Sequence, residues 1–84
     1  MGDKNHIKQL CIKFRGKEYD LIEFQNRLET AIFPHELEGF KHSILNEIEE
    51  IRFTKLEENF YHFGLEVVEK ILKRINWWIK TLIG

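Results

Sequence analysis

The stretch from Leu56 to Leu82 constrains the fold of this chain more than any other. At about 100° per residue, one broad side of a helix collects the apolar side chains Phe60, Val67, Val68, Ile71, Ile75, Trp78, Ile79 and Leu82. Glu66, Glu69, Lys73 and Lys80 fall on the opposite side. Because the apolar side is wider than a surface helix needs, the pattern predicts a long helix against which the other segments pack.

The length of the chain predicts a single domain, residues 1–84, because a second hydrophobic core could not be built from what remains. The chain has 43% hydrophobic residues, 5 glycines and 1 proline, which is typical of a folded helical protein and not of a disordered one. We therefore expect a mainly α protein, a small bundle of three or four helices.

Two helices are predicted in the middle of the chain. Asp20 and Glu23 have the spacing of a capping box, and apolar residues at helical spacing then predict a helix over about 20–33. Pro34 ends this helix, and the helical spacing resumes over about 35–52. These two helices are expected to form an antiparallel pair.

The apolar pattern changes phase between Ile51 and Leu56. Phe53 and Leu56 fall outside the earlier stripe, and Thr54 with Glu57 has the spacing of a second capping box. We therefore expect the chain to stop and restart here. The alternative is one helix of more than forty residues, which is long for a domain of this size.

Residues 7–21 fit two patterns. As a helix, the segment presents apolar residues at i, i+3, i+4 and i+7, namely Ile7, Leu10, Cys11 and Phe14, with Gly16 at its end. As a β-hairpin, Leu10, Ile12 and Phe14 alternate with polar neighbours and Cys11, and Gly16 takes the left-handed position of a short turn. Both patterns remain open, and the alternation slightly favours a short N-terminal hairpin.

Charges are segregated along the chain although the net charge is only −1. Residues 1–17 carry five basic groups and one acid, residues 18–69 carry thirteen acids and four basic groups, and residues 70–84 carry four basic groups and no acid. We expect the basic ends to pack beside the acidic middle, in preference to forming a field for a charged partner.

Cysteine usage and hydropathy bear on the compartment. Cys11 is the only cysteine, so no intramolecular disulfide can form, which is typical of a reducing compartment. The start of the sequence has no apolar run of the kind that a secretion signal contains. The apolar run 75–83 is about half the roughly 20 residues that a spanning helix needs. A cytoplasmic protein is expected.

No residue pattern predicts catalysis, a cofactor or a bound metal. His35, Glu38 and His42 share one helical side, but Gly39 stands where a zinc-protease motif has its second histidine. Cys11 lies in an apolar stretch where a buried, unreactive thiol is expected. We therefore expect a non-enzymatic protein without a small-molecule substrate.

Nucleic acid is not favoured as a partner. The segment 35–51 would have to supply a recognition helix, yet it carries five glutamates against the single basic residue Lys41. A DNA-binding regulator is therefore the weakest of the functions considered.

The C-terminal turns contain the most distinctive site candidates. Trp77 points about 100° away from Trp78, towards a side that is rich in cations, and it is either covered by another segment or exposed as an anchor. The predicted partner-binding residues are Trp77, Lys73, Arg74 and Lys80, together with the acidic residues Glu47, Glu49 and Glu50.

These observations predict a small non-enzymatic regulator or inhibitor that binds another protein or itself, similar to immunity proteins and antitoxins in size and charge only. The alternative is a peripheral membrane component held by the amphipathic, basic C-terminal helix.

Overall fold

The fold was obtained as a computed structural model, which describes the backbone of residues 4–83 and the side chains of residues 4–75. It consists of the helices α1 (Lys4–Arg15), α2 (Leu21–Thr30), α3 (Glu38–Thr54) and α4 (Phe60–Ile83). Short 3₁₀ helices precede α3 (His35–Leu37) and α4 (Glu57–Asn59). Over residues 4–83 the backbone contains no strand. The predicted mainly α bundle is confirmed, with four helices.

The long C-terminal helix is central, as its apolar pattern predicts. α4 contacts each of the other three helices. Val67, Val68, Ile71 and Ile75 are buried in the shared core, whereas Glu66, Glu69 and Lys73 on the opposite side of α4 are exposed. The side chains of Trp78, Ile79 and Leu82 lie outside the described residues.

The N-terminal segment is helical, so the favoured hairpin is wrong and the alternative helix is right. Ile7, Leu10, Cys11 and Phe14 are all buried on one side of α1. The alternating pattern would have put Ile12 on the same side as its apolar neighbours, but Ile12 is partly exposed. The helical arrangement buries four residues against α2 and α4, which an isolated two-stranded ribbon could not do.

α1 ends in a Schellman motif. The backbone N–H of Glu18 donates to the carbonyl of Lys13, and the N–H of Lys17 donates to the carbonyl of Phe14, both at 2.9 Å. The left-handed residue is Lys17, with φ of 66°, and not Gly16, which the sequence suggested for that position. A lysine therefore holds a conformation that usually favours glycine.

The predicted cap of α2 is confirmed. The Asp20 carboxylate accepts a hydrogen bond from the backbone N–H of Glu23 at 2.8 Å. α2 ends at Thr30, three residues earlier than predicted, because Ala31 already has extended backbone geometry on the approach to Pro34.

Contacts show that α2 and α3 are antiparallel, as predicted. Arg52 near the end of α3 donates to the buried Gln25 in the middle of α2 at 2.6 Å. Lys41 near the start of α3 donates to the carbonyl of Ala31, just after the end of α2, at 2.9 Å.

The break between the third and fourth helices is confirmed, but its predicted cap is wrong. α3 ends at Thr54, and Lys55 and Leu56 have extended backbone geometry before the next 3₁₀ turn. The Thr54 hydroxyl donates backwards to the carbonyl of Glu50 at 2.7 Å, so it serves the end of α3. Leu56 occupies the N-cap position of the 3₁₀ turn and makes no side-chain cap.

Candidate functional site

Three of the predicted partner-binding residues, Lys73, Arg74 and Glu47, lie at one groove between α3 and α4. Phe40 on α3 and Lys70, Lys73 and Arg74 on α4 line a cavity of about 430 Å³, which we call the α3–α4 groove. The guanidinium carbon of Arg74 lies 5.3 Å from the centroid of the Phe40 ring. Lys70 donates to both carboxylate oxygens of Glu47, at 2.9 and 2.8 Å. This ion pair joins the acidic middle of the chain to its basic C-terminal run.

The other two predicted glutamates lie elsewhere. Glu49 lines a polar cavity of about 350 Å³ between α2 and α3, together with Glu38, His42 and five further residues. Glu50 is exposed, and its backbone carbonyl accepts the hydroxyl of Thr54. Residues 47, 49 and 50 point in different directions because each step along a helix rotates the side chain by about 100°. The structure therefore does not bring the three acids together.

Trp77 and Lys80 belong to the same prediction, but their side chains lie outside the described residues. The partner-binding role of Trp77 and Lys80 therefore stays a prediction, and both arrangements of Trp77, covered or exposed, stay open.

Two exposed apolar side chains at the junction between α3 and α4 were not predicted as a site. Phe53 is 81% exposed in the last turn of α3, and Leu56 is 65% exposed in the link to α4. We call these two residues the turn surface. Two large apolar side chains left in water three positions apart are unusual for such a small protein, and exposed apolar patches of this kind mark interaction sites.

A groove lined by aromatic residues begins beside the turn surface, since Glu57, which follows Leu56, forms part of its wall. Its volume is about 320 Å³, and its apolar walls are supplied by α1, α2, α4 and the link between α1 and α2. We call it the aromatic groove; its lining residues are Phe14, Lys17, Tyr19, Asp20, Ile22, Glu57, Phe60 and Tyr61.

The walls of the aromatic groove are held by specific contacts. The ring of Phe14 stacks on that of Phe24 with centroids 4.8 Å apart, and it lies tilted against Tyr61 at 5.5 Å. The Tyr61 hydroxyl donates to the backbone carbonyl of Arg15, and the Lys17 ammonium lies 4.8 Å from the centroid of the Tyr61 ring. These contacts tie the start of α4 to the end of α1, so the groove is preformed.

The sequence did contain a signal for the turn surface. Phe53 and Leu56 fall out of phase with the stripe of α3, and this phase change indicates exposed apolar side chains as well as a helix break. An apolar residue that is out of phase with its own helix cannot reach the same core, so it is either covered by another element or exposed.

The Cys11 thiol is buried, and the described histidines do not belong to any group that could hold a metal ion. Burial raises the pKa of the Cys11 thiol from its ordinary value of 9.0 to about 12, although the nearby Arg15 charge acts in the opposite direction. Cys11 is therefore protonated and unreactive at neutral pH. Glu38 and His42 line the polar cavity, but among the described residues no three His, Cys, Asp or Glu side chains are grouped so as to hold a metal ion.

Over the described residues, no helix combines the length and hydropathy that a membrane-spanning segment requires.

Comparison of this chain with protein-family models, with curated proteins and with solved structures finds no match.

Proposed function

We propose that this protein is a small, non-enzymatic protein-binding module that regulates or inhibits another protein by covering part of its surface. The observation that supports this most is the turn surface. Phe53 and Leu56 are exposed although, among the residues whose side chains the structure describes, seventeen apolar ones are buried in the core. Apolar side chains exposed in a protein of this size are costly for solubility, and they act as anchors when a partner covers them.

The neighbouring aromatic groove completes the proposed contact area. Ile22, which is 40% exposed, lines that groove together with Glu57, the residue that follows Leu56. The groove offers a preformed apolar cavity in which a partner's side chain can be enclosed, and this is the arrangement in which interface residues contribute most binding energy.

The alternative of a peripheral membrane protein has less support. Up to Ile75 the apolar side of α4 is buried in the bundle and cannot serve as an anchor, whereas Trp77 and the other side chains of the last turns lie outside the described residues. A buried side cannot enter the headgroup layer unless the bundle opens.

The proposal is tested by comparing wild-type protein with the double variant Phe53→Ser, Leu56→Ser as bait in lysate of the cells that produce the protein. Because both side chains are exposed, the variant should unfold with a free energy within roughly 0.5 kcal/mol per substitution of the wild-type value. Loss of two anchors should weaken partner binding by about 2 kcal/mol or more, which is roughly thirtyfold.

The matched control is Ile32→Ser. Ile32 is 70% exposed, but it follows the end of α2 and lies beside the start of α3, whereas the turn surface lies at the end of α3. Capture of a partner by the wild type and the control, but not by the double variant, supports the proposal. Equal capture by all three proteins contradicts a role for the turn surface, and the absence of any captured protein contradicts the proposed function itself. A mass measurement in solution identifies the case in which the partner is a second copy.

A further inference from the structure

The α3–α4 groove contains cations that the bundle itself does not neutralise. Lys70 is paired with Glu47, but among the described side chains no carboxylate lies within ion-pair distance of Lys73 or Arg74. Both residues are exposed. The described side chains that line the groove are Phe40 and three basic residues, and residues 70–84 contain four basic groups and no acid, so we expect a positive potential there.

Arg74 is positioned to bind a carboxylate. Its guanidinium is held over the ring of Phe40 at 5.3 Å, a contact that restricts the long side chain. A guanidinium stacked on a ring keeps its edge free, and that planar edge matches both oxygens of a carboxylate. Lys73, one residue earlier on α4, offers a second cation about 100° around the helix.

We propose that the α3–α4 groove binds an acidic peptide segment of another protein, with carboxylates on Arg74 and Lys73 and an apolar side chain against Phe40. This inference names a partner class for the proposed protein-binding function, on which it rests, but it uses a surface distinct from Phe53 and Leu56.

Charge complementarity selects an anionic occupant, and the half-buried Phe40 selects one that also carries apolar groups. An anionic membrane shares these properties, but the apolar side chains of α4 along this stretch, including Val67 and Ile71, are buried in the core. The groove therefore exposes cations around one ring and not the continuous apolar side that insertion into a membrane requires.

Glu47 limits the affinity of the groove, because it neutralises Lys70 and places a negative charge next to the incoming peptide. Removal of that charge should release Lys70 as a third cation. The variant Glu47→Gln is therefore expected to bind an acidic peptide more tightly than the wild type, by a factor of about 2 to 5.

The test uses a fluorescent synthetic peptide of alternating glutamate and leucine, with the glutamine–leucine peptide as its neutral control, and measures fluorescence anisotropy. The variant Lys73→Glu, Arg74→Glu should weaken binding of the acidic peptide about tenfold or more, because it removes two charge-assisted contacts. The matched control is Lys4→Glu, Lys8→Glu on α1, which changes the net charge equally and should reduce binding much less.

Equal losses in the two charge-reversed variants would show an effect of net charge alone and would overturn the proposal, as would failure of the wild type to prefer the acidic peptide. Glu69→Gln, on the exposed side of α4, is the control for Glu47→Gln. An equal gain in peptide affinity in both variants would also contradict binding at the α3–α4 groove. Binding of the wild type to phosphatidylserine vesicles without binding to the peptide would assign the groove to membranes instead. The double variant Phe53→Ser, Leu56→Ser should bind the peptide like the wild type, so failure of this inference is distinguishable from failure of the proposed function.

Discussion

Replacement of Gly64 by alanine tests the packing at the centre of the bundle. Gly64 lies in the second turn of α4, and a Cβ atom added there would lie 2.4 Å from Cζ and 2.8 Å from Cε2 of Phe14. Carbon atoms in contact are normally about 3.5 to 4.0 Å apart, so the ring would have to move by more than about 1 Å. Phe14 is only 1% exposed, and its ring is held between Phe24 and Tyr61, so a shift of the ring breaks these contacts even though one side of it lines the aromatic groove.

Two opposing effects determine how much Gly64→Ala changes the free energy of unfolding. Alanine is about 1 kcal/mol more favourable than glycine inside a helix, whereas overpacking a filled core costs about 1 to 3 kcal/mol. The overlap with Phe14 is severe, so we expect the upper part of that range to apply, and Gly64→Ala should lower the free energy of unfolding by about 1 to 2 kcal/mol. For a chain of this length, each kcal/mol lowers Tm by roughly 4–8 °C.

The measurement is urea-induced unfolding followed by far-ultraviolet circular dichroism. Gly39→Ala is the matched control, because a Cβ atom at Gly39, in the first turn of α3, would have no neighbour within 4 Å. That variant should be as stable as the wild type or more stable by up to about 1 kcal/mol. Phe14→Leu replaces the ring by a smaller side chain, so in that background Gly64→Ala should lower the free energy of unfolding by less than it does in the wild type. If Gly64→Ala is stabilising to the same extent as Gly39→Ala, the packing of α1 against α4 described above is incorrect.

Three further predictions concern α1 and the cap of α2. Asp20→Ala should lower the free energy of unfolding by about 1 kcal/mol in urea titrations because the backbone N–H of Glu23 loses its acceptor, and Asp20→Asn should be nearly neutral. In the same assay Lys17→Gly should be about 1 kcal/mol more stable than Lys17→Ala, because both lose the ammonium contact with the Tyr61 ring but only glycine holds the left-handed conformation without strain; equal stability of the two variants would contradict the Schellman motif. The contribution of Cys11 to the free energy of unfolding should be constant below about pH 9, and between about pH 9 and about pH 12 it should fall by up to about 1.4 kcal/mol per pH unit. The reason is that the thiol ionises at lower pH in the unfolded chain than in the folded protein. Cys11→Ala, measured in parallel, should lack this pH-dependent contribution.

The helices that bury many residues were predictable from sequence because their periodicity extends over several turns. The stripe of α4 identified the side that packs against the other helices, and Asp20 correctly marked the start of α2. α1 was ambiguous because Leu10 and Phe14 fit both a period of two and a period of 3.6. Only the burial of Ile7 and Cys11 together, which requires neighbouring helices, resolves the choice.

Capping residues and surface sites depend on contacts that are distant in sequence. Thr54 has the spacing of an N-cap, but its hydroxyl donates to the carbonyl of Glu50 in the preceding helix, and a threonine at a helix end can make either kind of bond. The meeting of Lys70 with Glu47 and of Arg74 with Phe40 follows from the antiparallel packing of α3 and α4, which the spacing within either helix cannot specify. Exposure of Phe53 likewise depends on which elements cover the end of α3.

Site-specific photo-crosslinking in the cells that produce the protein tests the proposed binding role most directly. A photo-reactive phenylalanine analogue would replace Phe53, and in a second protein it would replace Ile32, which is exposed to a similar degree but lies away from the turn surface. If the turn surface binds a partner, irradiation should yield a discrete crosslinked species with the analogue at position 53, little of it at position 32, and mass spectrometry should identify a protein in that species. Irradiation that yields no adduct at position 53, or the same diffuse adducts at both positions, would contradict the proposal that Phe53 and Leu56 are exposed in order to bind another protein.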